Sequence, residues 1–338
     1  MKILYAVQAT GNGHITRART LLPALQQAGI DVDFLFSGRD KARLFDMQCF
    51  GDYQHVEGFT FFTHAGKVNP WKTLKQAQLR QFWTDTQQLN LQGYDLLLND
   101  FEPVSAWAAK RCKLPSIGLA HQYALRYALP GTEKAFWLKH AIDLFTPLDR
   151  YLGVHWQSFG QPILPPLISL SDLVETEQQD FVLVYLPFEV TKSVLSWLER
   201  FPSVTFVFYA DVMQTQRSGN VELRPFCRES FPKALQGCKG VICNTGFGLC
   251  SEALLLGKKI LTKPLAGQIE QYSNACVLER MDRAQVITSF DDDALLNWLH
   301  LDAQERIDYP DVAKAVAEWL VSGKDSDAKL LTQELWSE

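Results

Sequence analysis

Ser251, Glu252, Gln268, Glu270, Gln271 and Asn274 crowd into one stretch, Asn244 to Ala275, which also holds the turn Thr245-Gly246-Phe247-Gly248. Carboxylates and amides gathered this way suit a ligand rich in hydroxyl groups, because each can hold two hydrogen bonds at once. The two glycines do something different. They let the backbone come close to a ligand, and the free N–H groups at the start of the following helix, with the positive end of its dipole, favour a phosphate. The pattern therefore describes a diphosphate cradle. With a helix expected from about Leu249 to Leu256, Glu252 falls in its first turn, placed for a ribose diol, and Gln268, Glu270, Gln271 and Asn274 fall at the next helix start, placed for sugar hydroxyls.

A second cluster lies near the start of the chain. Gly11-Asn12-Gly13-His14 follows the apolar run Ile3 to Val7 and opens an amphipathic helix carrying Leu21, Leu22, Leu25 and Ala28. The spacing departs from a dinucleotide fingerprint, since Thr16 stands where the third glycine would be. A histidine here brings an imidazole that takes up a proton near neutral pH. Asp100 ends the run Leu96 to Leu98 and either orients His14 or binds a substrate. His121-Gln122 end the run Ile117 to Leu119.

These residues need a scaffold that brings strand ends together. Apolar runs at Ile3 to Val7, Val32 to Phe36, Leu96 to Leu98, Ile117 to Leu119 and Tyr151 to Val154 alternate with helical patterns at about 15–28, 39–47, 71–91, 103–111 and 132–145. A second alternation has strands at Phe181 to Leu186, Thr205 to Tyr209, Val221 to Leu223, Val241 to Cys243 and Ile260 to Thr262. Each alternation predicts a doubly wound parallel α/β sheet, with ligands at the carboxyl ends of the strands. The expected division is 1–160, a Pro-rich linker 161–179, 180–310, and a C-terminal pair of helices over 311–338.

Composition narrows the class. The chain has 338 residues, a length suited to two domains. Its seven cysteines are scattered without a C-x-x-C pair, which predicts free thiols in a reducing cytosol. No stretch approaches 18 apolar residues and no signal peptide is expected at Met1. Residues 1–160 carry 17 Lys and Arg against 13 Asp and Glu, and the remainder 16 against 25. That asymmetry suits an anionic surface or acceptor for the first half, or is plain scatter. Basic and aromatic residues interleave at Trp71-Lys72, Lys75, Arg80 to Trp83 and Lys134 to His140, with Phe59, Phe61 and Phe62 upstream; such stretches either dock at a lipid headgroup layer or face the core with snorkelling lysines. Dispersed histidines and the lack of H-x-x-x-H predict no metal site.

The ordered set Gly246-x-Gly248, Ser251-Glu252, Gly257, Pro264 and Glu270-Gln271 resembles the donor-site signature of GT-B glycosyltransferases. Most similar are the N-acetylglucosaminyltransferase of the peptidoglycan lipid precursor and the diacylglycerol glycosyltransferases, within a little-characterised branch of predicted glycosyltransferases. The resemblance implies a GT-B fold, two doubly wound Rossmann-like domains with parallel sheets facing a cleft, and a C-terminal helix crossing back onto the first domain. It implies His14 as general base on an acceptor hydroxyl, with Gly11, Asn12 and Gly13 in the loop beside the donor. By their place in the order, Glu189 and Thr191 match a loop beside the diphosphate, where Pro187-Phe188-Glu189 departs from the families' Gly and Ser. Phe226 and Cys227 match the segment that holds the nucleobase. His121 and Gln122 match a His-Glu pair near the acceptor, with Gln in place of Glu. The implied reaction is inverting transfer from a nucleotide-sugar, UDP-linked, to an acceptor hydroxyl on a lipid-linked or cell-envelope glycan. The nucleotide-sugar is a substrate, so no cofactor is expected. The expected site of action is the cytoplasm or the inner face of the membrane, with peripheral contact through the first domain and no nucleic acid. A UDP-sugar 2-epimerase of the same fold and a non-catalytic nucleotide-sugar sensor are the alternatives.

Overall fold

Two sheets of seven strands form from the two alternations. The computed structural model describes residues 1–44, 46–58, 63–64, 67–68, 79–169, 177–322 and 328–337. The chain divides into one compact unit of Met1–Phe61, Pro70–Ile168 and Tyr309–Glu338 and another of Phe62–Asn69 and Ser169–Asp308.

The first unit is built on β1 (Lys2–Gln8), β2 (Asp31–Ser37), β3 (Tyr53–His55), β4 (Leu96–Asp100), β5 (Ser116–Ala120), β6 (Arg150–Val154) and β7 (Ile163–Leu164). They lie in the order β3-β2-β1-β4-β5-β6-β7, every pair parallel. Ile3, Leu4, Tyr5, Ala6 and Val7 are all fully buried, as a central parallel strand covered on both faces must be. One face packs Leu4, Ala6 and Leu97 against Ala106, Ala109 and Tyr123. The strand order reverses between β1 and β4, so the loops leaving these two strands diverge and open a crevice at their carboxyl ends. His14 follows β1 and Asp100 ends β4. That is the topological reason these two meet although they are far apart in sequence.

Helix α1 (Asn12–Gln27) follows β1, α2 is Leu79–Gln88, α3 is Pro103–Cys112 and α4 is Leu138–Phe145. The unit is completed late. After the whole second unit, the chain returns as α10 (Val312–Val321), whose apolar stripe of Val312, Val316, Ala317 and Leu320 packs against α1, and α11 (Ala328–Ser337), whose Trp336 Nε1 donates to the carbonyl of Ile163 at 2.7 Å.

The second unit carries β8 (Val182–Tyr185), β9 (Phe206–Ala210), β10 (Gln216–Ser218), β11 (Val221–Pro225), β12 (Gly240–Cys243), β13 (Lys259–Thr262) and β14 (Ala284–Val286). Their order is β10-β11-β9-β8-β12-β13-β14, all parallel except the edge strand β10. Its reversal lies between β8 and β12. Helices α5 (Thr191–Leu198), α6 (Ser230–Gly237), α7 (Phe247–Leu255), α8 (Ile269–Arg280) and α9 (Asp292–Leu299) alternate with the strands, and Trp197 and Trp298 are buried in the core with Val184, Phe206 and Ile242.

Several expectations need correction. The helix expected at 39–47 is replaced by the short 3-10 turns Lys41–Arg43 and Gln48–Phe50. Asp40 accepts from the N–H of Ala42, and Leu44 is already extended, so no longer helix nucleates. The linker 161–179 begins too early, because Ile163 and Leu164 pair with β6. Only Leu138–Phe145 of the segment 132–145 is α-helical; Thr132 closes a turn through its hydroxyl to Leu129. Phe136 is 85% exposed and Trp137 more than half exposed, so these two do not face the core. Residues 71–78 of the helix expected at 71–91, and Phe59, Phe61 and Phe62, lie outside the described residues. Among the described residues no helix is long and apolar enough to cross a membrane.

Candidate active site

In the first unit the turn after β4 is built to present one carboxylate. Phe101 has φ of 58°, a left-handed conformation that costs a bulky residue energy and persists only when its surroundings hold it. Here they do. Asn99 Oδ1 accepts from the N–H of Glu102 and from the hydroxyl of Tyr123, and its amide donates to the carbonyl of Glu102. The buried Glu102 caps α3 by accepting from the N–H groups of Val104 and Ser105, and it accepts from the Ser37 hydroxyl as well. Burial raises the Glu102 carboxyl, and these hydrogen bonds only partly offset it. The result is a rigid elbow with Asp100 at its tip.

Asp100 is 0% exposed. Arg17 grips it with two charge-assisted bonds, Nε to Oδ2 at 2.7 Å and Nη2 to Oδ1 at 2.8 Å. His14 Nδ1 lies 2.7 Å from Oδ1. Burial on its own would raise the Asp100 carboxyl, but the charge of Arg17 and the contact with His14 outweigh it and hold it below its ordinary value. An ionised carboxylate only accepts, so Nδ1 of His14 must be the donor. The 3.1 Å approach of Arg17 Nη2 to the same Nδ1 then joins two donors sharing one carboxylate oxygen. That tautomer leaves Nε2 as the basic atom, with the Gln122 amide nitrogen 3.5 Å away at the outer limit of hydrogen bonding. Asp100 itself, enclosed and engaged at both oxygens, orients His14.

Gly11 sits at the N-cap of α1 without a side-chain bond, and a Cβ on Gly11 or Gly13 would meet nothing within 4 Å. Asn12 Oδ1 accepts from Arg39, whose other nitrogen donates to the carbonyl of Thr10, so Asn12 anchors the loop. His121 departs from the expected position. It is buried, donates through Nδ1 to the carbonyl of Val154 and lies beside the fully buried His155, because the 3-10 segment His121–Arg126 turns it beneath β6 while leaving Gln122 toward His14.

Burial first, and the neighbouring His121 second, hold the His155 imidazole well below the usual histidine value. In the unfolded chain that group titrates normally, so below about pH 6.5 the unfolded form gains a proton that the folded form refuses. The stability His155 contributes is thus complete above that pH and is lost as pH falls, by about 1.4 kcal/mol per unit. Urea unfolding of the parent and of His155→Gln at about pH 7.5 and 5.5 reads the slope. Equal slopes in the two proteins would contradict the assignment.

In the second unit, the turn after β12 leads into α7. Gly246 occupies the N-cap with no side-chain bond, and a Cβ there would meet nothing within 4 Å. Four residues expected to touch a ligand turn inward instead. Thr245 bonds the Thr262 hydroxyl at 2.9 Å, Ser251 donates to the carbonyl of Phe247, Gln271 accepts from the N–H of Leu265, and Asn274 donates to the carbonyl of Thr245. All four are buried, and Gln271 and Asn274 satisfy loop backbone groups that would otherwise be stranded away from water. They brace the turn. Phe247 is buried in the first turn of α7. Because α7 starts at Phe247, Glu252 lies in its second turn and not in its first. Glu252, Gly248, Gln268 and Glu270 remain partly exposed, Gln268 at the N-cap of α8 and Glu270 in its first turn.

Glu189 is engaged with Lys263 at 2.8 Å, both side chains largely buried. Glu189 leaves β8 and Lys263 leaves β13, the two neighbours of β12, so this bridge spans the carboxyl end of β12. Thr191 begins α5. Phe226 is exposed after β11 with its edge to Tyr185, and the exposed Cys227 has its thiol pulled down chiefly by a hydrogen bond from Ser230.

A family model for glycosyl transferase family 1 matches residues 1–144 and 158–301, most of both units. The chain belongs to glycosyl transferase family 1. No curated protein matches the sequence. Among solved structures, the family 1 chain is similar to the glycotransferase of kitacinnamycin, at 17% identity and TM-score 0.59 with 99% of each chain covered. It is similar also to Arabidopsis thaliana UGT89C1 complexed with UDP, at 13% identity and TM-score 0.58 with 99% of this chain and 98% of that one covered. LpCGTa in complex with UDP gives 13% identity and TM-score 0.60 over the same shares. These likenesses establish the GT-B fold. The particular similarity to the peptidoglycan-precursor and diacylglycerol enzymes is not among them.

Two functional side chains escaped the sequence reading. Arg17 was legible in principle, since a residue three positions after His14 shares its helix face. Lys263, directly after an apolar strand, carried the positional signal used for Asp100.

Proposed function

We propose that this family 1 chain transfers a sugar from a UDP-sugar to an acceptor hydroxyl, with inversion and without a metal. The observation that carries it is the His14–Asp100 contact of 2.7 Å, which leaves Nε2 as a base at the switch point of the first sheet. The acceptor hydroxyl gives its proton to Nε2 while its oxygen attacks the anomeric carbon. The bond from that carbon to the diphosphate breaks, and its electron pair leaves with UDP. The positive end of the α7 dipole and the N–H groups of its first turn stabilise the departing charge. Glu252 holds the ribose, and Gln268 and Glu270 face the sugar. The solved relatives complexed with UDP support a uridine nucleotide.

Calorimetric titration with UDP tests the donor site. Glu252→Ala should lose about 1.5 to 3 kcal/mol of binding, the worth of a hydrogen bond to a charged group. Gly246→Ala should leave stability within about 0.5 kcal/mol, because its Cβ enters open space, yet weaken UDP by crowding the diphosphate. UDP affinity unchanged in both variants would remove the nucleotide from this turn. UDP release from a UDP-sugar with no acceptor, accompanied by the 2-epimer, would favour the epimerase reading instead.

A further inference from the structure

We propose that Arg17 is a positioning residue whose fixed charge keeps His14 neutral, in the tautomer that leaves Nε2 free to accept a proton. The inference deepens the reading of His14 as the base and rests on it.

A carboxylate with no exposed surface must be compensated by a cation held against it. Two groups are placed to do so, Arg17 through two bonds and His14 through one. Beside them, Tyr5 on β1 and Tyr123 on the 3-10 segment are fully buried phenols pushed well up, by burial first and by Asp100 as a further cause, and Glu102 of the same elbow is engaged with α3 and Ser37, so none of the three supplies a cation. If Arg17 were absent, His14 would be left as the compensating cation, and an imidazolium has no lone pair with which to take a proton. A guanidinium cannot give up its proton, so Arg17 relieves His14 of that duty at every working pH. Geometry adds a second constraint. Arg17 takes one accepting position on each oxygen, and the second position on Oδ1 receives Nδ1–H. The first turn of α1 acts in the same sense, since the positive end of a helix dipole disfavours an imidazolium.

The experiment uses the whole chain with selective 15N labelling of histidine, which reports protonation and tautomer without any substrate, together with a pH profile of UDP release from a UDP-sugar. In the parent, His14 should show the neutral Nδ1–H form at about pH 7.5. Arg17→Met should convert it to imidazolium at that pH and move the acid limb of the rate profile up by about one unit or more, the effect of one neighbouring charge. Turnover should then recover as pH rises. Arg17→Lys keeps the charge but not the two-bonded grip, so its limb should stay near the parent's while turnover falls. The double variant Arg17→Met/Asp100→Asn removes both charges, guards against a single variant that fails to fold, and should return the limb to the parent position or below.

An unchanged tautomer and limb in Arg17→Met would make Arg17 a purely structural ion-pair partner. A limb that stays shifted in the double variant would equally overturn the charge argument. If the nitrogen spectra behave as expected but no UDP-sugar is turned over by the parent, the transfer reading fails and the role of Arg17 in setting the His14 tautomer stands.

Discussion

His14→Ala will lower turnover of the UDP-sugar by about 10² to 10⁴, the range for removal of a general base, while UDP affinity is retained. Asp100 keeps both bonds from Arg17 in this variant, so the loss will appear chiefly in kcat. Asp100→Asn will also be slow, because an amide can offer its N–H to the imidazole and select the wrong tautomer, with the grip of Arg17 lost as well. The two variants are therefore separated by which of them keeps any activity. Survival of both hydrolysis and transfer in His14→Ala, with complete loss in Asp100→Asn, would make Asp100 the base. The enclosure of Asp100 at both oxygens argues for the opposite result. Slow UDP release by hydrolysis serves as the readout before an acceptor is known.

Gly153→Ala will destabilise the first unit by about 3 kcal/mol, the upper end for overpacking. Its Cβ would stand 2.6 Å from the backbone nitrogen of Ala124 and 2.7 Å from its Cα, and backbone cannot swing aside as a side chain can. Either β6 or the 3-10 segment His121–Arg126 has to move. That segment carries Gln122, so a surviving variant should also show a disturbed His14 environment in its nitrogen spectrum. Gly13→Ala is the control, since its Cβ meets nothing. Urea unfolding of the two variants should differ by most of that amount, and equal stabilities would mean that the β6 contact is looser than these distances.

Strand runs such as Ile3 to Val7 and Val241 to Cys243 could be read because a central parallel strand is apolar on both faces. Tyr53–His55, Gln216–Ser218 and Ala284–Val286 could not, being three-residue edge strands with no run to detect. The meeting of His14 with Asp100 followed from strand ends at a reversal of sheet order. The polar cluster around α8 was harder for a physical reason. Asn274 and Gln271 look the same in sequence whether they hold a sugar or a loop, and the backbone of the loop had first claim on them. Glu252 was placed one turn too early because nothing in Thr245-Gly246-Phe247 marks the cap, and Gly246 caps with no side chain. Arg17 was legible from the helix period, which aligns it with His14.

The return of α10 and α11 to the first unit bears on how the chain folds as it is made. Apart from the short piece Phe62–Asn69, the second unit is the single run Ser169–Asp308, free to complete its sheet as soon as that run has emerged. The first unit has its sheet early but lacks the helix that covers α1 until the final segment from Tyr309 arrives. During synthesis the side of α1 that meets α10 therefore waits uncovered while the second unit is added, an interval in which chaperone binding is expected. Ribosome-stalled chains ending near residue 308 should resist protease across the second unit and remain cleavable within α1. Protection of α1 at that length would mean that the tail only caps a unit already folded.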